Sequence, residues 1–220
     1  MSKKIKPVND TSKRASVQAR AKIIKVATEL FGEQGLEPTT TRQIAAASGL
    51  NISLISYYFG GKVGLYQAII YEHALKIKEE FEAIFESHHQ EKFTPEIFKK
   101  EISMIVRHMV EMRLHNLSMS KIFMAERTQK MPYAREVFEN IMKSTTDKMI
   151  QMIQKGQDQG FLKSDFPPGV MIILLIESIF GYFMVQDCKL SIWNKTYQLP
   201  KDKEKFIQFV TQIFTQGIMK

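Results

Sequence analysis

A single cysteine, Cys188, stands among 220 residues, so no intramolecular disulfide framework can form and a reducing, cytoplasmic setting is expected. As a lone thiol it admits two readings, a redox sensor or inert packing near a helix end. Also missing are a glycine-rich phosphate loop, a nucleophile elbow and any paired-cysteine motif. No acid, base or nucleophile stands in a spacing that suggests catalysis, so neither an enzymatic activity nor a cofactor is expected. His108, Glu111 and His115 share a helix face, but histidines seven apart lie about 10 Å from each other along the axis, too far for one ion. They read as a surface charge cluster, and His88 and His89 as cations suited to a helix end, so no metal site is expected. No stretch alternates with period two and no segment repeats, which removes sheet architectures and solenoids.

The charge is unevenly spread. Of the net +8, residues 1–65 carry +6 and residues 66–220 carry +2. Lysine-rich surfaces are often merely solvated, so the imbalance corroborates a polyanion-binding end only beside a motif. Residues 1–14, MSKKIKPVNDTSKR, are expected to form a disordered basic arm. Such an arm either follows a DNA minor groove or serves as a solubilising tail. It contains no apolar run, so no secretory signal is expected there.

What the chain does have is concentrated in residues 41–58, TRQIAAASGLNISLISYY. Ile44 and Ala45 give a short helix an inward face, with Ala45 small enough for a second helix to cross closely. Gly49 follows where a left-handed residue must turn the chain. Leu50 and Ile55 return to the core, which leaves Ile52, Ser53, Leu54, Ser56 and Tyr58 on a free face. This is a helix-turn-helix, whose second helix enters the DNA major groove. Thr40 and Gln43 stand three apart, as a capping box requires. Upstream, Ile23, Ala27, Leu30 and Phe31 recur at helical spacing and Gly35 ends that helix, which completes a three-helix headpiece over residues 15–62. The FGGK run at residues 59–62 sets two glycines ahead of the next helix, with backbone N–H groups and Lys62 facing a phosphate.

From about residue 21 to residue 71, with ATELFGEQGLEPTTTRQIAAASGLN and SYYFGGKVGLYQAI, the chain resembles the DNA-binding headpiece of TetR-type transcriptional regulators. The likeness covers roughly a quarter of the chain; the remainder is similar only in being helical and of suitable length. The resemblance implies a homodimer on palindromic double-stranded DNA, usually a repressor, that lets go when a small molecule enters the C-terminal half. Carried over, Arg42 reaches a base edge, Ile52, Ser53 and Leu54 form the base-facing start of the recognition helix, Tyr57 and Tyr58 its phosphate-facing end, and Lys62 a phosphate clamp. Thr40, Thr41, Asn51 and Ser56 complete the candidate DNA-contacting set. Ser56 departs from the tyrosine common there, with Tyr57 as the neighbouring substitute.

Beyond the headpiece, residues 63–220 read as a larger helical ligand-binding and dimerisation domain of an all-α protein. A helix over residues 62–87 presents Tyr66, Ile69, Ile70, Ala74, Ile77, Phe81, Ile84 and Phe85 on one face, a rod of roughly 38 Å. Thr94 and Pro95 open another with Phe98, Ile102, Ile105, Val106, Met109 and Val110 inward. A shorter helix covers residues 117–127, and Pro132 is expected to start one running to residue 157. Thirteen methionines, many on inward faces, suit either a filled core or a cavity for a small apolar ligand. The candidate lining is Met104, Met109, Met112, Phe123, Met142, Met149 and Phe180.

Residues 170–185, VMIILLIESIFGYFMV, are apolar nearly all round. As a membrane span this stretch is short and carries Glu177 at its middle, so burial on all sides, partly by a second subunit, is expected. Together with the last helix it would form an isologous four-helix interface, with Ile173, Ile176, Phe180, Phe183, Phe206, Val210, Ile213 and Phe214 as contacts. Glu177 is then a rim residue, an intersubunit acceptor or a ligand contact. The competing reading of the whole is a helical interaction protein that keeps the headpiece without sequence-specific DNA binding.

Overall fold

A computed structural model describes residues 10–86, 93–189 and 196–219, and among them every regular element is helical. In chain order these are α1 (Asp10–Gln34), α2 (Thr41–Ser48), α3 (Ser53–Phe59), α4 (Lys62–Glu86), α5 (Pro95–His115), α6 (Leu117–Thr128), α7 (Arg135–Val137), α8 (Lys143–Asp158), α9 (Pro168–Asp187) and α10 (Lys203–Ile218). A π-helical turn, Phe138–Met142, joins α7 to α8. The all-α class is the one expected. Two details differ: α1 begins at Asp10, so residues 10–14 of the expected arm are helical, while residues 1–9, like His88 and His89, lie outside the described residues.

Contacts divide the chain into two units, and not by a cut at residue 62. The first holds the described residues up to His73 together with Leu117–Val137; the second holds Ala74–Asn116 and the described residues from Phe138. In the first, Ile23, Ala27 and Phe31 of α1 are buried with Ile44 of α2, Ile55 of α3 and Leu65, Tyr66, Ile69 and Ile70 of α4. The later helix α6 packs along α1. Their approach requires Gly32, because a Cβ there would come within 2.7 Å of the Ser118 Cα.

A buried acid closes this unit. Glu126 of α6 accepts the Tyr66 hydroxyl at 3.2 Å and the backbone N–H groups of Tyr133 and Ala134 at 3.0 and 2.9 Å. Those N–H groups head the next helix, where no intrahelical acceptor exists. Pro132 was expected to open that helix, but Lys130 and Met131 have positive φ (64° and 59°), and helical hydrogen bonding starts only at Arg135. The chain turns first, so that Glu126 can serve the helix start from outside it.

The second unit has one continuous apolar core. Ile77, Phe81 and Ile84 of α4 join Phe98, Ile102, Ile105, Val106, Met109 and Val110 of α5, all buried as their spacing predicts. Thr94 caps α5, its hydroxyl accepting the Ile97 N–H, with Pro95 at the first helical position. Met149, Met152 and Ile153 of α8, five residues of α9, and Phe206, Ile207 and Ile218 of α10 complete the core. Arg107 grips Glu204 with two bonds of 2.7 and 2.6 Å, which aligns α5 with α10.

Two expectations follow. Glu126→Ala strands three donors and should cost about 3 kcal/mol in urea unfolding, with Glu126→Gln losing less because one acceptor oxygen remains. Burial first of all pushes the His108 imidazole below the ordinary histidine value, while Glu80 and Glu111 oppose the shift. The folded chain therefore binds this proton less readily than the unfolded chain. Its contribution to stability is complete above about pH 6.5 and is lost as pH falls toward the lower folded value. Replacing His108 by Gln should flatten the decline in urea midpoint as pH falls below about 6.5.

Candidate nucleic-acid interface

The turn between α2 and α3 is built from backbone bonds. Thr40 and Gln43 form the reciprocal capping box, with Gln43 N–H to Thr40 Oγ1 at 3.2 Å and Thr40 N–H to Gln43 Oε1 at 2.7 Å. At the other end Gly49 is left-handed (φ 63°), its N–H reaching the Ala46 carbonyl at 3.2 Å and the Leu50 N–H the Ala45 carbonyl at 3.1 Å. This pair of bonds is a Schellman closure, which stops α2 sharply. Asn51 then starts α3, its Oδ1 accepting the Ser53 N–H and hydroxyl at 2.9 and 2.8 Å.

Ile55 is buried and fixes which side of α3 faces out. Asn51, Ile52, Ser53, Ser56 and Tyr57 are exposed, as are Thr40 and Arg42 upstream; Thr41 and Leu54 are half-buried. Tyr57 is 79% exposed, an unusual placement for a large aromatic ring unless something covers it. Tyr58 is tied back to α1 by a 2.9 Å hydrogen bond between its hydroxyl and that of Ser16. Lys62 departs from the expected phosphate clamp: its ammonium donates to the carbonyls of Leu36 and Glu37 at 2.9 and 3.0 Å. Its charge is spent pinning the loop between α1 and α2. A cation that sequence spacing did not single out stands nearer the turn, Lys22 of α1, whose Nζ lies 3.9 Å from where a Gly49 Cβ would be. Only folding could reveal it, because 27 residues separate the two positions.

A short helix stopped by a Schellman turn, a second helix with polar and apolar side chains outward, and a lysine beside the turn together suit a groove of duplex nucleic acid. The sequence profile of bacterial regulatory proteins of the tetR family matches residues 23–69, the stretch that builds this geometry. Over these residues the headpiece is similar to that of the TetR family. Over 51 residues the chain is 51% identical to the HTH-type transcriptional dual regulator CecR of Shigella flexneri, covering 23% of this chain and 22% of that one. Over 56 residues it is 41% identical to the probable HTH-type transcriptional regulator YttP of Bacillus subtilis (strain 168), covering 26% and 27%. The matched stretch thus spans about a quarter of these relatives' length. Across the full chain the fold is similar to the ketosteroid transcriptional regulator KstR2 of Mycobacterium tuberculosis, with a TM-score of 0.66 at 17% identity over 97% of both chains. That likeness is one of fold alone.

The structure sorts the other expected residues. Met109 and Met149 are buried in the core of the second unit, with Met104, Met112, Met142 and Phe180 packed against it. Phe123 does not join them: it belongs to the first unit and lies against His73, ring centroids 5.6 Å apart. Of the expected dimer contacts, Phe183 and Phe206 are 5% and 2% exposed and fill their own subunit's core, so they are withdrawn from that set. Ile173 and Ile213 are well exposed, and Ile176, Phe180, Val210 and Phe214 are half-buried. Leu174, Met184 and Phe209 are exposed beside them and were missed. Helix α9 is apolar on all faces, so periodicity could not orient it; in α10, Phe209 stands four before Ile213, a spacing that could have been read. By length and composition α9 could cross a membrane, yet five of its residues are in the core. Glu177 is exposed on α9, and Cys188 is exposed at its end.

Placed against its preferred duplex, Arg42→Ala should cost about 1–3 kcal/mol and relax one base preference. Lys22→Ala should weaken all sequences alike and lower the salt slope by about 1. Gel-shift titrations on matched and scrambled duplexes separate the two.

Proposed function

We propose that this chain is a sequence-specific DNA-binding transcriptional regulator, a homodimer that represses from a palindromic operator and is released by a small apolar ligand. The observation that carries the reading is the outward face of α3, anchored by buried Ile55 and set at a Schellman turn, within a TetR-family headpiece. The curated relatives described as transcriptional regulators support it through the same stretch. Ile52 and Leu54 would meet thymine methyl groups, and Arg42 a base edge. Two headpieces would present their recognition helices to half-sites about one turn, roughly 34 Å, apart. An operator-bound dimer covers its site sterically, which is why repression is the sign proposed.

The exposed apolar side chains Ile173, Leu174, Phe209 and Ile213 support an isologous interface of α9 and α10, with Glu177 at its rim. This use of α9, and the core residues it already supplies, argue against a membrane span and for a cytoplasmic protein. Release would act through α4, a continuous helix whose two halves lie in different units. A ligand that prefers one conformer by about 1–3 kcal/mol changes operator affinity 5- to 150-fold. Catalysis has no part in the proposal.

Selection of binding sites from a random duplex pool tests it. A palindrome is expected to emerge; recovery of no sequence would instead favour an interaction protein that uses the headpiece as a basic docking surface. Ile213→Glu combined with Leu174→Glu should give monomers in sedimentation and lose palindrome binding by at least tenfold, about 1.4 kcal/mol.

A further inference from the structure

Among the described residues of the second unit, two buried polar atoms have no hydrogen-bond partner, Thr145 Oγ1 and His108 Nε2. Thr145 is the more telling. Helical threonines elsewhere in the chain donate to the carbonyl four residues back: Thr28 to Ile24, Thr128 to Met124, Thr146 to Met142, Thr211 to Ile207 and Thr215 to Thr211, at 2.8–3.0 Å. Thr145 does not, although it is 1% exposed and needs that bond most. The carbonyl four back belongs to Ile141 of the π-helical turn, and Thr145 leaves it unused although Thr146 reaches Met142 in the same turn. The Thr145 hydroxyl is left buried without a hydrogen-bond partner.

The seam it borders is defined by α4, α5 and α8. Phe81 of α4 meets the His108 ring edge-on, centroids 4.7 Å apart. Glu80, just before Phe81, has Oε2 at 3.4 Å from His108 Nε2 but off the direction of a hydrogen bond. Glu82, just after it, lies 4.0 Å from Lys148 of α8, one turn beyond Thr145. Glu80 and Phe81 thus face His108 of α5 while Glu82, next in α4, faces α8 one turn from Thr145, and Met149, Met112 and Met142 belong to the same apolar core.

We propose that Thr145 and His108 are the polar contacts of the regulatory ligand, and that the ligand is a neutral amphipathic molecule, an apolar body bearing a hydroxyl or keto oxygen. The inference rests on the reading of the chain as a ligand-released regulator and specifies what that ligand must offer. The methionines accommodate the apolar body, and its oxygen satisfies the two atoms. Burial keeps the His108 ring neutral at neutral pH, so it supplies no cation for a carboxylate. The nearest charge is the Glu80 carboxylate, which repels an anionic head. The ammonium groups of Lys76 and Lys148 already face Glu80 and Glu82, at 3.7 and 4.0 Å.

Thermal unfolding of the full chain with 1-decanol, decane or decanoate tests the proposal, using wild type, Thr145→Val and His108→Phe. Decanol should raise the wild-type midpoint more than decane or decanoate does. Thr145→Val should raise the midpoint of the free protein, because valine strands no hydroxyl, yet weaken apparent decanol affinity at least tenfold; His108→Phe should weaken it likewise. A lower free midpoint for Thr145→Val would make the hydroxyl structural, and an unchanged decanol response in both variants would place any site elsewhere. Equal stabilisation by decanoate, or none by decanol, would overturn the ligand class. Gel shifts without decanol keep the two readings apart: a palindrome bound by a chain indifferent to decanol refutes only this inference. A chain stabilised by decanol that binds no duplex refutes the regulator.

Discussion

The carboxylate of Glu126 is the contact on which the organisation of the headpiece unit depends. It is 3% exposed, and an unpaired carboxylate at that depth would be strongly disfavoured. Three donors from α4 and from the start of the following helix surround it instead. Each partner would itself be orphaned without the acid: the Tyr66 hydroxyl lies in the core, and two N–H groups open a helix with no acceptors of their own. The bond set is thus mutually enforcing. It holds α6 in the first unit, where the bare backbone of Gly32 lets it approach α1. A helix from the middle of the chain thereby becomes part of the headpiece unit.

That contact also marks where sequence reasoning stops. The capping box at Thr40, the turn at Gly49, the Thr94–Pro95 start and the buried faces of α4 and α5 were all legible, because each is a local rule spanning a few residues. Glu126 reaches Tyr66, 60 residues away, and leaves no periodic trace. The same limit explains Lys62, whose place after two glycines suggested a phosphate, whereas carbonyls 25 and 26 residues earlier claim it. It explains Phe183 of α9 too. On a helix apolar all round, inward and outward aromatics look alike, and only the packing tells which of them a second subunit could touch.

The outer face of α3 mixes kinds of side chain that a water-facing helix would have no reason to combine. Ile52 and Tyr57 expose apolar surface that packing within the chain does not cover, while Ser53 and Ser56 between them offer only short hydroxyls. Apolar groups meet thymine methyls and small hydroxyls permit close approach, so the composition fits a groove better than bulk solvent. Asn51 is partly spent on starting α3, whereas Arg42 is an exposed long donor at this end. The ammonium of Lys62, after the glycine turn, is held by the Leu36 and Glu37 carbonyls, whereas Lys22 of α1 stands beside the turn at Gly49.

The two units handle buried polarity in opposite ways, and the difference bears on switching. In the first, Glu126 is fully satisfied, which makes one arrangement of the helices strongly preferred. In the second, Thr145 Oγ1 and His108 Nε2 are buried without a hydrogen-bond partner, in a unit whose core also holds Met109, Met149 and Met152. An unsatisfied group raises the energy of the conformer that contains it, so any conformer or bound molecule that supplies a partner gains on it. For the regulator proposed above, the free energy that selects between conformers would have to come from a ligand's differential contacts in the second unit.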